Sequence, residues 1–437
     1  MRVHRLIVAV LAFALVSVTA VTAGAQTIIV KAGRLIDGRG GPPIAPAMVR
    51  IGGERIEEVA ASLVVPNGAT IIDLGDSTLL PGLIDLHTHL TSQEGVHWEN
   101  ALITTTPPQA ALWGARNARV TLLSGVTTSR DMGSTWPYVD VELRKAIEGG
   151  AVPGPRLVVA GSYISSTGGA GDARQFSTYL DVPLVRNMAD GPDEIVKAVR
   201  TNFKNGADFI KILATGAVLS KGISPGAQQY SDAEIQAAVT EANRWGRQVA
   251  AHAHGADGIK AAIRAGVRTV DHGSYLDDTA IEMLKKSERR TFYVPTLALY
   301  AFLQAASHVP ESEKERSRAV SEIAATGFKR ALAEGIPIGL GTDAPVIPHG
   351  LIAREMAYRV SLGEAAMKTI VASTSLNAEI LGLQDRIGSV IAGKLADLIA
   401  VRGNPLSDIS VLQNVHFVMK AGTVYRAETP VGKPPIR

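Results

Sequence analysis

Between Gly82 and Asp343 the chain alternates short apolar runs with longer stretches of helical periodicity, and that alternation restricts the fold more than any other feature. Eight runs have strand length and character: Gly82–His89, Val126–Asp131, Arg156–Ile164, Phe209–Ala214, Gln248–His254, Thr269–Gly273, Thr291–Leu297 and Ile336–Asp343. The segment Asp232–Trp245 shows the intervening pattern, opening with Ser231 as a helix N-cap and Glu234 three residues on. Eight βα units in about 300 residues predict an α/β chain folded as a (β/α)₈ TIM barrel. An open doubly wound sheet is the alternative, but no Gly-rich phosphate loop follows the first strand, which weakens its nucleotide-binding form. Both ends read differently. Runs such as Thr27–Val30, Ala47–Ile51, Thr70–Asp73, Ala396–Val401 and Val415–Met419 are broken by Gly and Pro and show no helical periodicity. Neither end has enough strands to bury an apolar face alone, so residues 26–80 and 384–437 are expected to form one composite β-sandwich beside a barrel of residues 81–383.

Residues 1–25 read as a signal peptide: Arg2 and Arg5 precede an apolar run from Leu6 to Val18, and Ala23-Gly24-Ala25 forms a small-x-small cleavage site. The run is short for a membrane anchor, so the expectation is an exported protein, periplasmic or secreted, with no membrane association after cleavage. The 437 residues contain no cysteine, which excludes disulfides, thiolate ligands and a cysteine nucleophile. With 44 Lys and Arg against 41 Asp and Glu, and no basic cluster, nothing points to nucleic acid.

Any metal must therefore be held by nitrogen and oxygen, and the apolar runs end in such groups. In Leu83-Ile84-Asp85-Leu86-His87-Thr88-His89 the period of two sends Asp85, His87 and His89 to one face. The fifth run brings His252 and His254, the sixth His272, and the eighth Asp343, so five of ten histidines lie at three strand ends. A barrel gathers such ends around one mouth, where active sites of that architecture are built. Lys211 stands inside the apolar run Phe209-Ile210-Lys211-Ile212-Leu213. Burial there disfavours the charged form, and a neutral amine can take up carbon dioxide to give an anionic carbamate; snorkelling to solvent is the alternative.

Taken in order, Leu80-Pro81-Gly82-Leu83-Ile84-Asp85-Leu86-His87-Thr88-His89, Gly125–Asp131, Ile210-Lys211-Ile212, His252-Ala253-His254-Gly255, Asp271-His272-Gly273, Gly341-Thr342-Asp343 and Gly393–Leu398 resemble the amidohydrolase superfamily. The resemblance is to its imidazolonepropionase-related branch, which includes metal-dependent Xaa-Pro dipeptidases and ochratoxin-hydrolysing amidohydrolases. It implies two divalent cations, with zinc the first choice and manganese, cobalt or iron as other occupants. His87 and His89 would hold the more buried ion, His252 and His272 the second, and a carbamate on Lys211 would bridge them. Asp343 would bind the first ion and move the proton of a bridging water. His252 lies deeper along its strand than His254, which places His254 toward substrate.

The implied reaction is hydrolysis of the amide bond of N-acyl amino acids or dipeptides by a metal-bridging hydroxide. A cyclic amide such as an imidazolone or lactam is the alternative substrate, and a non-catalytic exported metal- or ligand-binding barrel is the rival from another class. Tyr163, Tyr230 and His349, on loops beside the strand ends, are further candidates to grip substrate, and the resemblance also implies a homo-oligomer. Two departures from the pattern, Ala170 for a histidine and Ala217 for a glycine, bear on substrate rather than metal.

Overall fold

The computed structural model describes residues 27–428 except 178, 181–186, 221, 288–290 and 308. The segment read as a signal peptide lies outside them. Among the described residues, no helix is long and apolar enough to cross a membrane. The N-terminal strands are β1 (Thr27–Ala32), β2 (Arg34–Leu35), β3 (Ala47–Gly52), β4 (Arg55–Ala60), β5 (Thr70–Asp73) and β6 (Thr78–Pro81). Four of them form one sheet in the order β4-β3-β1-β5. In β3 the alternate residues Ala47, Val49 and Ile51 are buried, as a half-covered strand requires.

The central strands are β7 (Leu83–Thr88), β8 (Val126–Asp131), β9 (Arg156–Val159), β10 (Ile210–Leu213), β11 (Val249–Ala253), β12 (Thr269–His272) and β13 (Phe292–Val294). They run parallel in two sheets, β7-β8-β9 and β10-β11-β12-β13. Helices intervene as expected, and Asp232–Arg244 carries the full Ser231/Glu234 capping box. That helix buries Ile235, Ala238, Val239 and Ala242, the spacing of one helical face, in the largest hydrophobic core. The chain closes with β14 (Leu398–Val401), β15 (Val415–Lys420) and β16 (Thr423–Ala427).

These last strands do not form a sheet of their own. β14 pairs antiparallel with β6, Leu398 opposite Pro81 through Val401 opposite Thr78, giving the order β16-β15-β14-β6-β2. Val49, Ile51 and Leu79 share a core with Leu398, Phe417 and Met419. Gly82 then passes the chain from β6 into β7, and any Cβ there would meet Thr127 Oγ1 at 2.1 Å, so only glycine allows the passage.

The sequence predicts an eighth strand at Ile336–Asp343, but the structure has isolated bridges there instead. Gly339 N donates to Tyr293 O (2.8 Å), Leu86 N to Leu340 O (3.0 Å) and Asp343 N to His87 O (2.7 Å), so the segment lies between β13 and β7. Side chains take over what a strand ladder would supply. Asn377 donates to Leu340 O and Ile84 O (both 2.8 Å) and accepts from Leu340 N (3.0 Å). Arg359, fully buried, donates to Gly339 O (2.8 Å) and pairs with both oxygens of Glu364 at 2.8 and 2.9 Å. Removing one member of such a buried pair strands the other charge. Arg359→Met should therefore lower unfolding stability by ~3–5 kcal/mol, measured by chemical denaturation. A variant as stable as the parent would show that Arg359 does not brace this segment. On the other side of the sheets, Ile164 N donates to Lys211 O (2.8 Å) and Leu213 N to Ile164 O (2.9 Å), linking the region after β9 to β10.

Candidate metal centre

Two groups of ligand-type side chains meet at the carboxyl ends of the parallel strands. In the first, β7 supplies His87 and, just past its end, His89. The bridged segment supplies Asp343, whose Oδ1 stands 3.4 Å from His87 Nε2 and 3.5 Å from His89 Nε2. The other ring nitrogens are already engaged. His87 Nδ1 is 3.1 Å from Asp271 Oδ1, and His89 Nδ1 donates to Gly133 O at 2.8 Å. Both Nε2 atoms are thereby turned to the same point, the arrangement in which outer partners orient metal-binding imidazoles. Asp271 is itself fixed by Arg130 Nη2 (2.9 Å) and Thr269 Oγ1 (2.8 Å), so it supports His87 rather than facing the cavity. Asp85, on the same strand, accepts from Thr342 Oγ1 at 2.7 Å and braces the segment that carries Asp343; burial pushes its carboxyl up to about 7.

The second group is His252, His254 and His272, with ring centroids 4.6–4.9 Å apart. His252 Nε2 lies 3.2 Å from Gly216 O, an acceptor, so Nε2 carries the proton and Nδ1 keeps its lone pair. His254 Nδ1 meets Ser274 Oγ at 2.7 Å, and His272 Nδ1 meets Thr296 Oγ1 at 2.8 Å. The His87 and His272 rings, 4.7 Å apart, join the two groups. Burial first, and then the neighbouring basic groups, Lys211 among them, holds the pKa of His87, His252 and His272 well below the usual range, so these rings are neutral at pH 7, the state in which an imidazole can bind a cation. His89 behaves oppositely: burial works against its charge, but the hydrogen bond and charge of Asp343, then Asp131, raise its pKa.

Lys211 projects from β10 into the same place. It is 2% exposed, Nζ has no hydrogen-bond partner among the described residues, and burial lowers its pKa to about 8. A buried amine without a partner is costly, and a bound anion or metal-linked group is the ordinary explanation. Neutral imidazoles, a carboxylate and this amine, with no sulfur, fit divalent cations that accept nitrogen and oxygen. His272 and Asp343 also adopt left-handed backbone, φ 70° and 62°. Such strain in residues other than glycine collects at functional sites.

All six of these side chains and His254 line one cavity of about 440 Å³. Tyr163, Ala170 and Ala217 also line it, as the sequence suggested for that loop region. Tyr230 and His349 do not. Tyr230 is 1% exposed and its hydroxyl donates to Ala189 O at 2.9 Å, while His349 is buried with its pKa lowered to about 3 by burial. Both are placed by packing rather than at the cavity, because loop position in sequence does not reveal which way a side chain turns. Sequence reasoning missed His97, Trp98 and Glu313 and an apolar wall that includes Leu299, Leu303, Ala306 and Val309. The helical spacing of Leu299 and Leu303 was readable, but not the cavity they face.

The sequence profile of the amidohydrolase family matches residues 78–425. The chain is 31% identical over 436 residues to ochratoxinase of Aspergillus niger, covering 94% of this chain and 88% of that one. The crystal structure of that ochratoxinase has a TM-score of 0.82 at 30% identity, covering 92% of this chain and 96% of the other. A Xaa-Pro dipeptidase with methionine bound in its active site has a TM-score of 0.86 at 37% identity, covering 92% of this chain and 100% of the other. A prolidase complexed with N-methylphosphonate-L-proline has a TM-score of 0.84 at 29% identity, with the same coverage. The chain belongs to the amidohydrolase family, hydrolases that act on C–N bonds.

Proposed function

We propose that this chain is a metal-dependent hydrolase of the amide bond in N-acyl amino acids or dipeptides. The observation that carries the reading is the convergence of two ligand groups and the unpartnered Lys211 Nζ on one cavity. The relatives support it: one is an ochratoxinase, others are prolidases or a Xaa-Pro dipeptidase. The parallel sheets, with segment 338–344 bridging β7 and β13, are read as one (β/α)₈ barrel over residues 81–383. The sheets that share Val49, Leu79, Leu398 and Phe417 are read as a composite sandwich from residues 26–80 and 384–437. Residues 1–25 are read as a cleaved export signal, which N-terminal sequencing of the mature protein tests.

His87, His89 and Asp343 would hold one cation, His252 and His272 the other, with Lys211 as a carbamate between them; zinc is the first candidate. Divalent ions supply there a lowered pKa for water and polarisation of a carbonyl oxygen. Asp343, partly open to the cavity, takes a proton from water and returns it to the departing amine. His254 faces the reacting group through Nε2, while Leu299, Leu303 and Val309 receive the apolar part of the substrate.

Zinc-loaded protein incubated with a panel of N-acyl amino acids and Xaa-Pro dipeptides should release free amino acid. No release from any acyclic amide, with opening of an imidazolone or lactam, would replace this substrate class with cyclic amides. No turnover of either class would leave a binding protein.

A further inference from the structure

We propose that Ser274 and Tyr300 are positioning residues that fix His254 in the tautomer protonated on Nε2, so that it meets substrate as an N–H donor. The proposal rests on the reading of His254 as a substrate contact. Three polar groups form a buried chain: His254 Nδ1 to Ser274 Oγ at 2.7 Å, and Ser274 Oγ to Tyr300 OH at 2.7 Å. His254 is 4% exposed, Ser274 0% and Tyr300 2%.

Each hydroxyl has one proton to give and can accept more than one, so three arrangements are possible. If His254 Nδ1–H and Tyr300 both donate to Ser274, the Ser274 proton has no acceptor within hydrogen-bond distance among the described residues; if His254 Nδ1–H donates to Ser274 and Ser274 to Tyr300, the Tyr300 proton has none. A buried donor left unmade costs more than a typical hydrogen bond contributes. If instead Tyr300 donates to Ser274 and Ser274 donates to His254 Nδ1, both buried hydroxyl protons are used and the remaining ring proton is the one at the cavity. Nδ1 is then the acceptor, and the ring proton sits on Nε2. His254 lines the cavity, and its Nε2 has no partner among the described residues.

The consequence separates His254 from its neighbours. A ring with Nδ1 engaged and Nε2 protonated has no lone pair left for a cation. His252 is the reverse case, because its Nε2 faces the Gly216 carbonyl and its Nδ1 lone pair is open. The period of two along β11 makes the two residues look equivalent, and their outer partners make them chemically opposite. An N–H donor in the cavity suits an oxygen that gains negative charge in the reaction, such as the carbonyl oxygen of a scissile amide.

The test uses the zinc-loaded enzyme selectively labelled with ¹⁵N-histidine, the His254 signals being assigned by difference from His254→Gln. The proposal expects a protonated Nε2 and an unprotonated, hydrogen-bonded Nδ1. A proton on Nδ1 overturns it. Kinetics form the second arm. His254→Ala should lower kcat by ~10²–10³-fold, the usual worth of one such donor. His254→Gln, whose amide can offer N–H near the position of Nε2, should recover part of that loss and keep its metal content. Tyr300→Phe should lower kcat by about fivefold with KM unchanged, and should cause no further loss in the His254→Ala background. Multiplicative losses in that double variant would assign Tyr300 to packing and refute its positioning role. If no amide is hydrolysed at all, the function reading fails, while the ¹⁵N spectrum still decides the tautomer.

Discussion

Asp343→Asn should lower turnover by ~10²–10⁴-fold, the range lost when a general acid–base is removed, while metal content stays close to that of the parent. Asn is the right replacement for two structural reasons. It keeps an oxygen where Asp343 Oδ1 stands, 3.4 and 3.5 Å from the Nε2 atoms of His87 and His89. It also tolerates left-handed backbone, which the φ of 62° demands and which alanine would adopt only with strain. The backbone bonds from Asp343 N to His87 O and from Val346 N to Asp343 O need no side chain and should persist. What Asn lacks is the basicity to accept a proton from water and deliver it to an amine. Metal analysis and kcat measured on the same preparation separate the roles. Recovery of most of the activity on adding excess zinc or manganese would make Asp343 a ligand only.

The parts of this site readable in the sequence are those governed by strand period. His87 with His89, and His252 with His254, lie two apart in apolar runs, and the parallel sheets deliver them to one cavity as that spacing implies. Lys211 was conspicuous for a related reason, being an amine inside an otherwise apolar strand. The eighth strand was harder to read, because Ile336–Asp343 has the composition of a strand while its backbone is satisfied by Asn377, Arg359 and Asp85. Those partners come from other parts of the chain, and no local pattern announces them. The same applies to Tyr230, whose hydroxyl finds the Ala189 carbonyl, and to the apolar wall at Leu299 and Leu303. Strand pairing at the ends shows a middle case. That the tail needs outside partners follows from how few strands it has, but β6 as the strand beside β14 was visible only in the fold.

Lys211→Met should empty or cripple the centre. It retains an unbranched apolar side chain of similar length in β10, so the buried strand keeps its packing and loses only the amine. On the proposed reading, metal affinity should fall by more than the roughly 10–100-fold lost with an outer-shell partner, since the group proposed to lie between the two sites would disappear. Lys211→Ala should behave alike, and because it leaves space, short carboxylic acids should partly restore its activity. The proposed carbamate would have a pH signature. Its formation consumes the neutral amine and carbon dioxide and releases a proton. With burial lowering the Lys211 pKa to about 8, the reactive form predominates above that pH. At pH 6 only roughly one amine in a hundred is neutral. Reconstitution of metal-free enzyme with zinc should therefore accelerate as pH rises toward 8, and further with added bicarbonate, until the amine is fully deprotonated. A rate indifferent to bicarbonate, together with a Lys211→Met variant that binds two ions and turns over normally, would remove Lys211 from the centre and leave the two imidazole groups as separate sites.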